Sequence, residues 1–197
     1  MRSIYIYGAS GHGLVVADIA KICEYSDIIL IDDGKNSYLS FDDIKYNTHI
    51  PIAFGIGNNS IRKKLYKKVK SYGFKVVTLI HNSATISKSV TIGRGTVIMA
   101  GVVINPNSKI GKGVILNSSC VIEHENIIED FVHISPQVAL AGEVKVEKNT
   151  HIGIGSSVIQ GITIGKNSIV GAGSVVIRDI NSKSIAYGNP CRVVRKS

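Results

Sequence analysis

Residues 80–176 read IHNSATISKSVTIGRGTVIMAGVVINPNSKIGKGVILNSSCVIEHENIIEDFVHISPQVALAGEVKVEKNTHIGIGSSVIQGITIGKNSIVGAGSVV. Taken six at a time, every stop is aliphatic: Ile80, Ile86, Ile92, Ile98, Ile104, Ile110, Leu116, Ile122, Ile128, Ile134, Leu140, Val146, Ile152, Val158, Ile164, Val170 and Val176. A period of six fits neither the roughly 3.6 of an amphipathic helix nor the roughly 2 of a strand. It is the signature of a β-helix, whose repeats cannot bury their apolar side chains singly and stack to do so. Four residues after each stop the chain usually carries a small or β-branched residue, as at Thr96, Val102, Ser108, Val114 and Cys120. Glycine often follows the stop directly, as at Gly93, Gly111, Gly165 and Gly171, which suggests backbone freedom at a corner. Three hexads close one three-sided coil of eighteen residues, so the stretch makes five coils and two-thirds of a sixth.

Upstream the pattern changes. Ser3–Tyr7 is a short β-branched and aromatic strand running into Gly8-Ala9-Ser10-Gly11-His12-Gly13 and then a helical stretch, Leu14–Cys23, with Val15, Ile19 and Ile22 on one face. A second apolar run, Ile28–Ile31, ends at Asp32-Asp33-Gly34. A third, Ile52–Ile56, ends at Gly57-Asn58-Asn59-Ser60, whose polar side chains can cap the next helix. That helix places Ile61, Leu65 and Val69 on one side, and its Arg62 and lysines read as a solvated face. A fourth strand, Lys75–Leu79, is expected before the solenoid. Strand-helix alternation of this kind implies a small parallel sheet, giving a Rossmann-like α/β domain over 1–78, a β-helix over 79–182 and a tail over 183–197.

The 197 residues carry a net charge of +9, but the bases are dispersed and aromatics are few, and no nucleic-acid-binding motif is present. Three distant cysteines, Cys23, Cys120 and Cys191, argue against a disulfide scaffold and for a reducing compartment. Cys120 falls on an inward position and reads as core. Neither a signal peptide nor a membrane span is visible, so a cytoplasmic protein without membrane or nucleic-acid partners is expected.

Two places carry chemistry. The glycine-rich turn follows a strand and opens a helix, the setting for a phosphate at a helix N-terminus. Its G-x-x-G-x-G spacing is not the dinucleotide fingerprint, and a mononucleotide or nucleotide-sugar fits the short domain better. Asp32 and Asp33 sit beyond a strand's carboxyl end, where acidic residues reach a ribose or base; a solvated turn is the competing reading. In the solenoid, Asn126 breaks the small-residue rule just after Glu123-His124-Glu125. Gly142 lies eighteen residues on from His124 and offers no side chain above the imidazole, leaving room for a ligand. His133 and His151 are also eighteen apart and should stack on the outer surface, about 5 Å apart.

From end to end the chain resembles the bacterial amino-sugar acetyltransferases that join a nucleotide-sugar domain to a left-handed β-helix. Within them it is most similar to the UDP-N-acetylbacillosamine N-acetyltransferases. The resemblance rests on IYIYGASGHG (Ile4 to Gly13), IDD (Ile31 to Asp33), GIGNN (Gly55 to Asn59), GVILNSSCVIEHE (Gly113 to Glu125) and YGNPCR (Tyr187 to Arg192). Sialic acid O-acetyltransferases share much of it.

The resemblance implies transfer of an acetyl group from acetyl-CoA to the 4-amino group of a nucleotide-linked, UDP-type sugar. His124 would be the general base, with Glu125 (or Glu123) raising its basicity and the Gly142 N–H serving the oxyanion. Ser10, Gly11, His12, Asp32, Asp33, Gly57, Asn58 and Asn117 would bind the acceptor. For acetyl-CoA the implied contacts are His133, Gly142, the glycine strips Gly153-Ile154-Gly155 and Gly171-Ala172-Gly173, Pro190 and Arg192. The strips would let a pantetheine arm lie close, and the tail would neutralise a phosphate. A homotrimer is implied, with outward Met99, Val103 and Val121 offering surface to bury; no metal is expected. The alternatives are O-acetylation of a sialic acid or other sugar and, more distantly, a zinc lyase of the γ-carbonic anhydrase kind. The spacing of His124, His133 and His151 does not resemble that family's zinc ligands.

Overall fold

The computed structural model describes residues 2–196, so Met1 and Ser197, the ends of the two outer segments, lie outside the described residues. In the front domain β1 (Ser3–Tyr7) is the middle strand, flanked by β2 (Asp27–Ile31) and β3 (Ile52–Phe54), all parallel. Alternation along β1 sends Ile4 and Ile6 into one core and Tyr5 and Tyr7 into another. Helix α1 (Gly11–Ile22) joins the first core with Val16, Ala17, Ile19 and Ala20, so the stripe is not the expected one. Val15 and Ile22 are exposed. The fourth strand shrinks to one bridge, Ile52 to Val76, because Lys75–Leu79 turns at once into the solenoid.

Helix α3 (Asn59–Ser71) departs further from its apolar pattern. Ile61 is 51% exposed, whereas Arg62 is 1% exposed. The reason is that α3 packs on two surfaces, its own sheet through Leu65 and Val69, and the solenoid through Arg62. A short helix α2 (Phe41–Ile44) closes the far side of the sheet with a capping box from Ser40 and Asp43.

The solenoid consists of two-residue strands, β4 (Leu79–Ile80) to β20 (Val175–Val176), each ending on one of the periodic stops. They stack as three parallel sheets in a register of eighteen residues, for example Ile98 on Leu116 on Ile134 on Ile152 on Val170. From Ile98 onward every stop is buried; Ile80, Ile86 and Ile92, at the open end, are partly so. Left-handed backbone recurs every six residues too, from Gly95 through Glu125, Phe131 and Asn149 to Gly173. These are third after each stop, so the glycines directly after the stops do not supply that freedom. They are small for another reason: a Cβ at Gly93 would lie 2.5 Å from the Gly111 carbonyl carbon in the coil beyond.

The first sheet continues into β21 (Ser184–Tyr187) and an antiparallel β22 (Arg192–Lys196), so the basic tail is a hairpin on its edge. The front domain covers the outer side of this same sheet. Met99 is therefore buried with Val97, Ile115 and α1, and is no part of an open face. Val103 and Val121, on the second sheet, stay partly exposed. Among the described residues no helix is long and apolar enough to cross a membrane.

Candidate active site

The sequence-selected residues fall into three groups. The first lies at the seam between the front domain and the first sheet. Gly13 packs so closely on the turn that a Cβ there would sit 1.9 Å from the Gly8 carbonyl oxygen. The Gly55 carbonyl presses on the same turn. This holds His12 at the start of α1, its ring 6.2 Å from that of His133. His133 stacks on His151 at 4.6 Å and 3°, as the spacing implied. The pair is not on an open surface, however. His133 is 9% exposed beneath the front domain, and His151 Nε2 is 2.8 Å from the Ser135 hydroxyl.

Burial pushes His133 down to about 3, with His151, Arg62 and His12 adding to the effect and the Gly57 carbonyl opposing it. His12 falls to about 4 through burial and then Arg62, and His151 is lowered by the same two causes. All three rings are neutral at pH 7. Asn117 Nδ2 donates to His133 Nε2 at 3.2 Å, which leaves the ring hydrogen on Nδ1. His133 Nδ1 and His12 Nε2 are buried and have no aligned partner among the described residues. His12 Nε2, without a partner among the described residues, and His133 Nδ1, with only a poorly aligned approach to the Gly57 carbonyl, leave bonding capacity in the seam that a polar ligand could complete. A cleft of about 620 Å³ opens beside them, lined by Gly57, Asn58, Asn59 and Ser60 at the start of α3 and by His133, His151 and Asn149. Asn58 caps α3 through the Ile61 N–H, so its side-chain oxygen is already engaged.

The aspartates are engaged as well. Asp32 accepts from the Ala9 and Gly34 N–H groups and from Asn36, bonds that hold it below the usual carboxylate range. It thereby braces the glycine turn. Burial pushes Asp33 up, but bonds from Tyr7, the Phe41 N–H and Lys68 outweigh that and keep it low. Ser10 and Gly11 are exposed at the mouth of α1, and the Ser10 side chain makes no cap.

The second group lies on the solenoid edge after the first sheet. Gly153 and Gly171 leave no opening there: a Cβ on Gly153 would meet the 171–172 backbone at 2.6–2.7 Å, and one on Gly171 would meet Tyr187. Gly155 and Gly173, by contrast, are left-handed turns with nothing within 4 Å of a Cβ, and Ile154, the middle residue of the first strip, is exposed. The bare edge is thus narrower than the two triplets suggest. Pro190 and Arg192 are exposed beyond it in the terminal hairpin.

The third group occupies the edge between the second and third sheets, opposite the first. His124 Nδ1 lies 3.1 Å from Glu125 Oε2, both side chains more than half exposed. Glu123 is turned away and accepts from Asn105 in the preceding coil. Gly142 does not leave a void above the imidazole, as its lack of a side chain suggested; the ring itself fills that space, with Cε1 2.5 Å from where a Cβ would be. Asn126, fully buried, donates to the carbonyls of Glu123 at 2.6 Å and Ala141 at 3.0 Å, tying the His124 turn to the Gly142 turn. Its break in the small-residue pattern was the signal for that role. Arg62 carried no such signal, and nothing in the periodicity separates it from the lysines around it.

One chain therefore keeps His124 and the His12–His133 seam on opposite sides of the prism. Among the described residues no three His, Cys, Asp or Glu side chains are grouped to hold a metal ion.

A prism of hexads, a glycine turn under a three-stranded sheet and an exposed His–Glu pair define a hexapeptide-repeat transferase with a nucleotide-type front domain. Residues 3–69 match the PglD N-terminal domain family, and residues 89–124 and 143–178 match the bacterial transferase hexapeptide family. A point mutant of the perosamine N-acetyltransferase from Caulobacter crescentus, solved with CoA and GDP-perosamine, superposes with a TM-score of 0.94 at 33% identity over 98% of this chain and 97% of that one. The acetyltransferase domain of PglB from Neisseria gonorrhoeae, solved with acetyl coenzyme A, gives 0.91 at 33% identity over 98% and 99%. The UDP-N-acetylbacillosamine N-acetyltransferase of Bacillus subtilis is 39% identical over 115 residues, a match spanning 51% of this chain and 52% of that protein. The chain belongs to the PglD family of acetyl-CoA-dependent, hexapeptide-repeat sugar N-acetyltransferases.

Proposed function

We propose that this chain acetylates the 4-amino group of a UDP-linked amino-deoxy sugar, with His124 as general base. The observation that carries the reading is the His124–Glu125 pair. With Nδ1 turned to the carboxylate, the ring hydrogen sits on Nδ1 and the Nε2 lone pair is open. The sugar amine attacks the thioester carbonyl carbon while Nε2 takes the amine's proton. The carbonyl oxygen becomes an oxyanion near the Gly142 N–H, which has no partner among the described residues. Collapse breaks the C–S bond, and the imidazolium returns the proton to the departing CoA thiolate. No acetyl-enzyme is needed.

The acceptor's nucleotide would lie on the Ser10–Gly13 turn and its sugar along the seam with Gly57, Asn58 and Asn117. Acetyl-CoA would run along the open turns at Gly155 and Gly173 toward the Arg192 hairpin; His133, buried beneath the front domain and away from that edge, goes to the acceptor seam and not to the coenzyme path the resemblance implied. Residues 1–78 thus serve the acceptor, 79–182 the transfer and 183–197 the coenzyme. Because His124 and the seam sit on opposite sides of one prism, the complete site is formed between chains of a trimer. The cytosol, with its nucleotide sugars and acetyl-CoA, is the compartment this reading implies.

The test incubates the protein with acetyl-CoA and a panel of UDP- and GDP-linked 4-amino-, 3-amino- and hydroxy-sugars, reading free thiol and product mass. The 4-amino UDP sugar should give the highest kcat/KM. His124→Ala should lower kcat by about 10²–10⁴-fold, the usual worth of a positioned proton acceptor, with the fold intact. A panel that releases thiol only with hydroxy-sugars would overturn the reading.

A further inference from the structure

Arg62 is a charged side chain that the fold buries without any carboxylate. Its Nε donates to the Gly113 carbonyl at 2.8 Å, and Nη1 donates to those of Ile56 and Gly57, each at 3.0 Å. Nη2 donates to Asn59 Oδ1 at 2.8 Å and to the carbonyls of Phe131 and Val132 at 3.2 and 3.3 Å. Burial lowers the guanidinium to about 9, which still leaves it charged at pH 7. Burying an unpaired cation is costly, and an apolar residue of the same length would join the two surfaces at less expense. A guanidinium offers something an apolar side chain or a lysine lacks, a planar fork of five N–H groups in fixed directions.

The positions of the acceptors show what that fork holds. Ile56 and Gly57 follow Gly55, whose carbonyl presses on the Gly8 and Gly13 backbone of the turn that carries His12. Phe131 and Val132 are the two residues before His133. One guanidinium thus grips the supports of both rings that face each other across the seam at 6.2 Å. Asn59 extends the grip, donating through Nδ2 to the Thr150 carbonyl at 3.0 Å, next to His151.

We propose that Arg62 is a positioning residue for the acceptor: it fixes the separation between His12 of the front domain and His133 of the solenoid. The proposal rests on the reading of that seam as the acceptor site. Arg62 is buried and touches no open cleft, so its effect passes through the two histidines. Acetyl-CoA, held along the far edge by the solenoid alone, should feel it little.

The test compares wild type with Arg62→Met, which fills the volume without the fork, and Arg62→Lys, which keeps the charge without the fork. Both should raise KM for the nucleotide sugar by about 10- to 100-fold, the scale expected of a small misplacement. KM for acetyl-CoA should stay within about twofold in both variants. Hydrogen exchange supplies a readout without turnover: amides of residues 55–60 should exchange faster in both variants while those of the inward strands do not. An equal rise in both KM values, or a fall in melting temperature with both KM values and the 55–60 exchange unchanged, would show a merely structural arginine. Should wild type acetylate no amino sugar, the assigned reaction fails on its own. Exchange and UDP affinity, weakened or not by the substitutions, then decide the positioning role. If Arg62→Met does not fold, the lysine variant carries the same comparison.

Discussion

His133 shows how a single ring records the domain seam. Burial holds it near 3 in the folded chain, while an unfolded histidine titrates near 6.5. Above pH 6.5 neither state binds the proton and stability does not depend on this group. Below it the unfolded chain takes up a proton that the fold refuses, so the unfolding free energy falls as pH falls. The slope approaches about 1.4 kcal/mol per pH unit until the folded ring begins to titrate. Melting curves from pH 7.5 to 4.5 should therefore show falling stability with acid, and His133→Asn should flatten part of that slope. An unchanged slope in the variant would mean the ring is not held neutral. This environment was only half legible in the sequence. The eighteen-residue spacing placed His133 on His151, but a helix and a turn from the other domain cover the pair, and no local pattern encodes contact between segments so far apart. The same holds for Arg62. Its charge matched the surrounding lysines, and only the carbonyls it meets on the solenoid set it apart.

Elements with a single packing partner were readable, and those with two were not. Each solenoid strand buries one side chain per hexad inside the prism, so the period appears directly in the sequence. Helices α1 and α3 each answer to the sheet and to the solenoid, and the buried stripe is a compromise that simple helical spacing misassigns. Glycines divide similarly. Six-residue recurrence of left-handed backbone is met by Gly at some coils and by Asn, Ser or Glu at others, so glycine alone under-reports the turns. At Gly13 the need is close approach, with the Gly8 carbonyl where a Cβ would be. Gly13→Ala must push apart two backbone segments and should destabilise the front domain by about 3 kcal/mol, in the upper range for one substitution. The solenoid shares no backbone with that turn. Calorimetry should show the front domain's transition moving down and separating from the solenoid's, with nucleotide-sugar affinity lost. An unshifted transition with normal affinity would mean that the turn yields at little cost.

At the scale of the whole molecule, the chain presents half of its chemistry on each side. The seam of His12, Asn117 and His133 lies under the front domain on the first sheet, and the His124–Glu125 pair projects from the opposite edge. A stack of closed coils has no hinge by which one side could reach the other. Under the proposed trimer, each base completes the seam of a neighbour, a heterologous contact that closes by threefold rotation. Light scattering should accordingly give a mass three times that of the chain. Complementation tests the sharing itself. His124→Ala chains keep the acceptor seam and lack the base; Gly13→Ala chains keep the base and lack the seam. Each should be nearly inactive alone. In trimers assembled from an equal mixture, a productive site needs one chain of each kind in the right order, which happens at about one site in four. Thiol release should therefore recover to about a quarter of the wild-type rate after co-refolding, and not after simple mixing of formed trimers. Were each chain to hold its own complete site, no mixture would regain activity, because every site would carry one defect or the other.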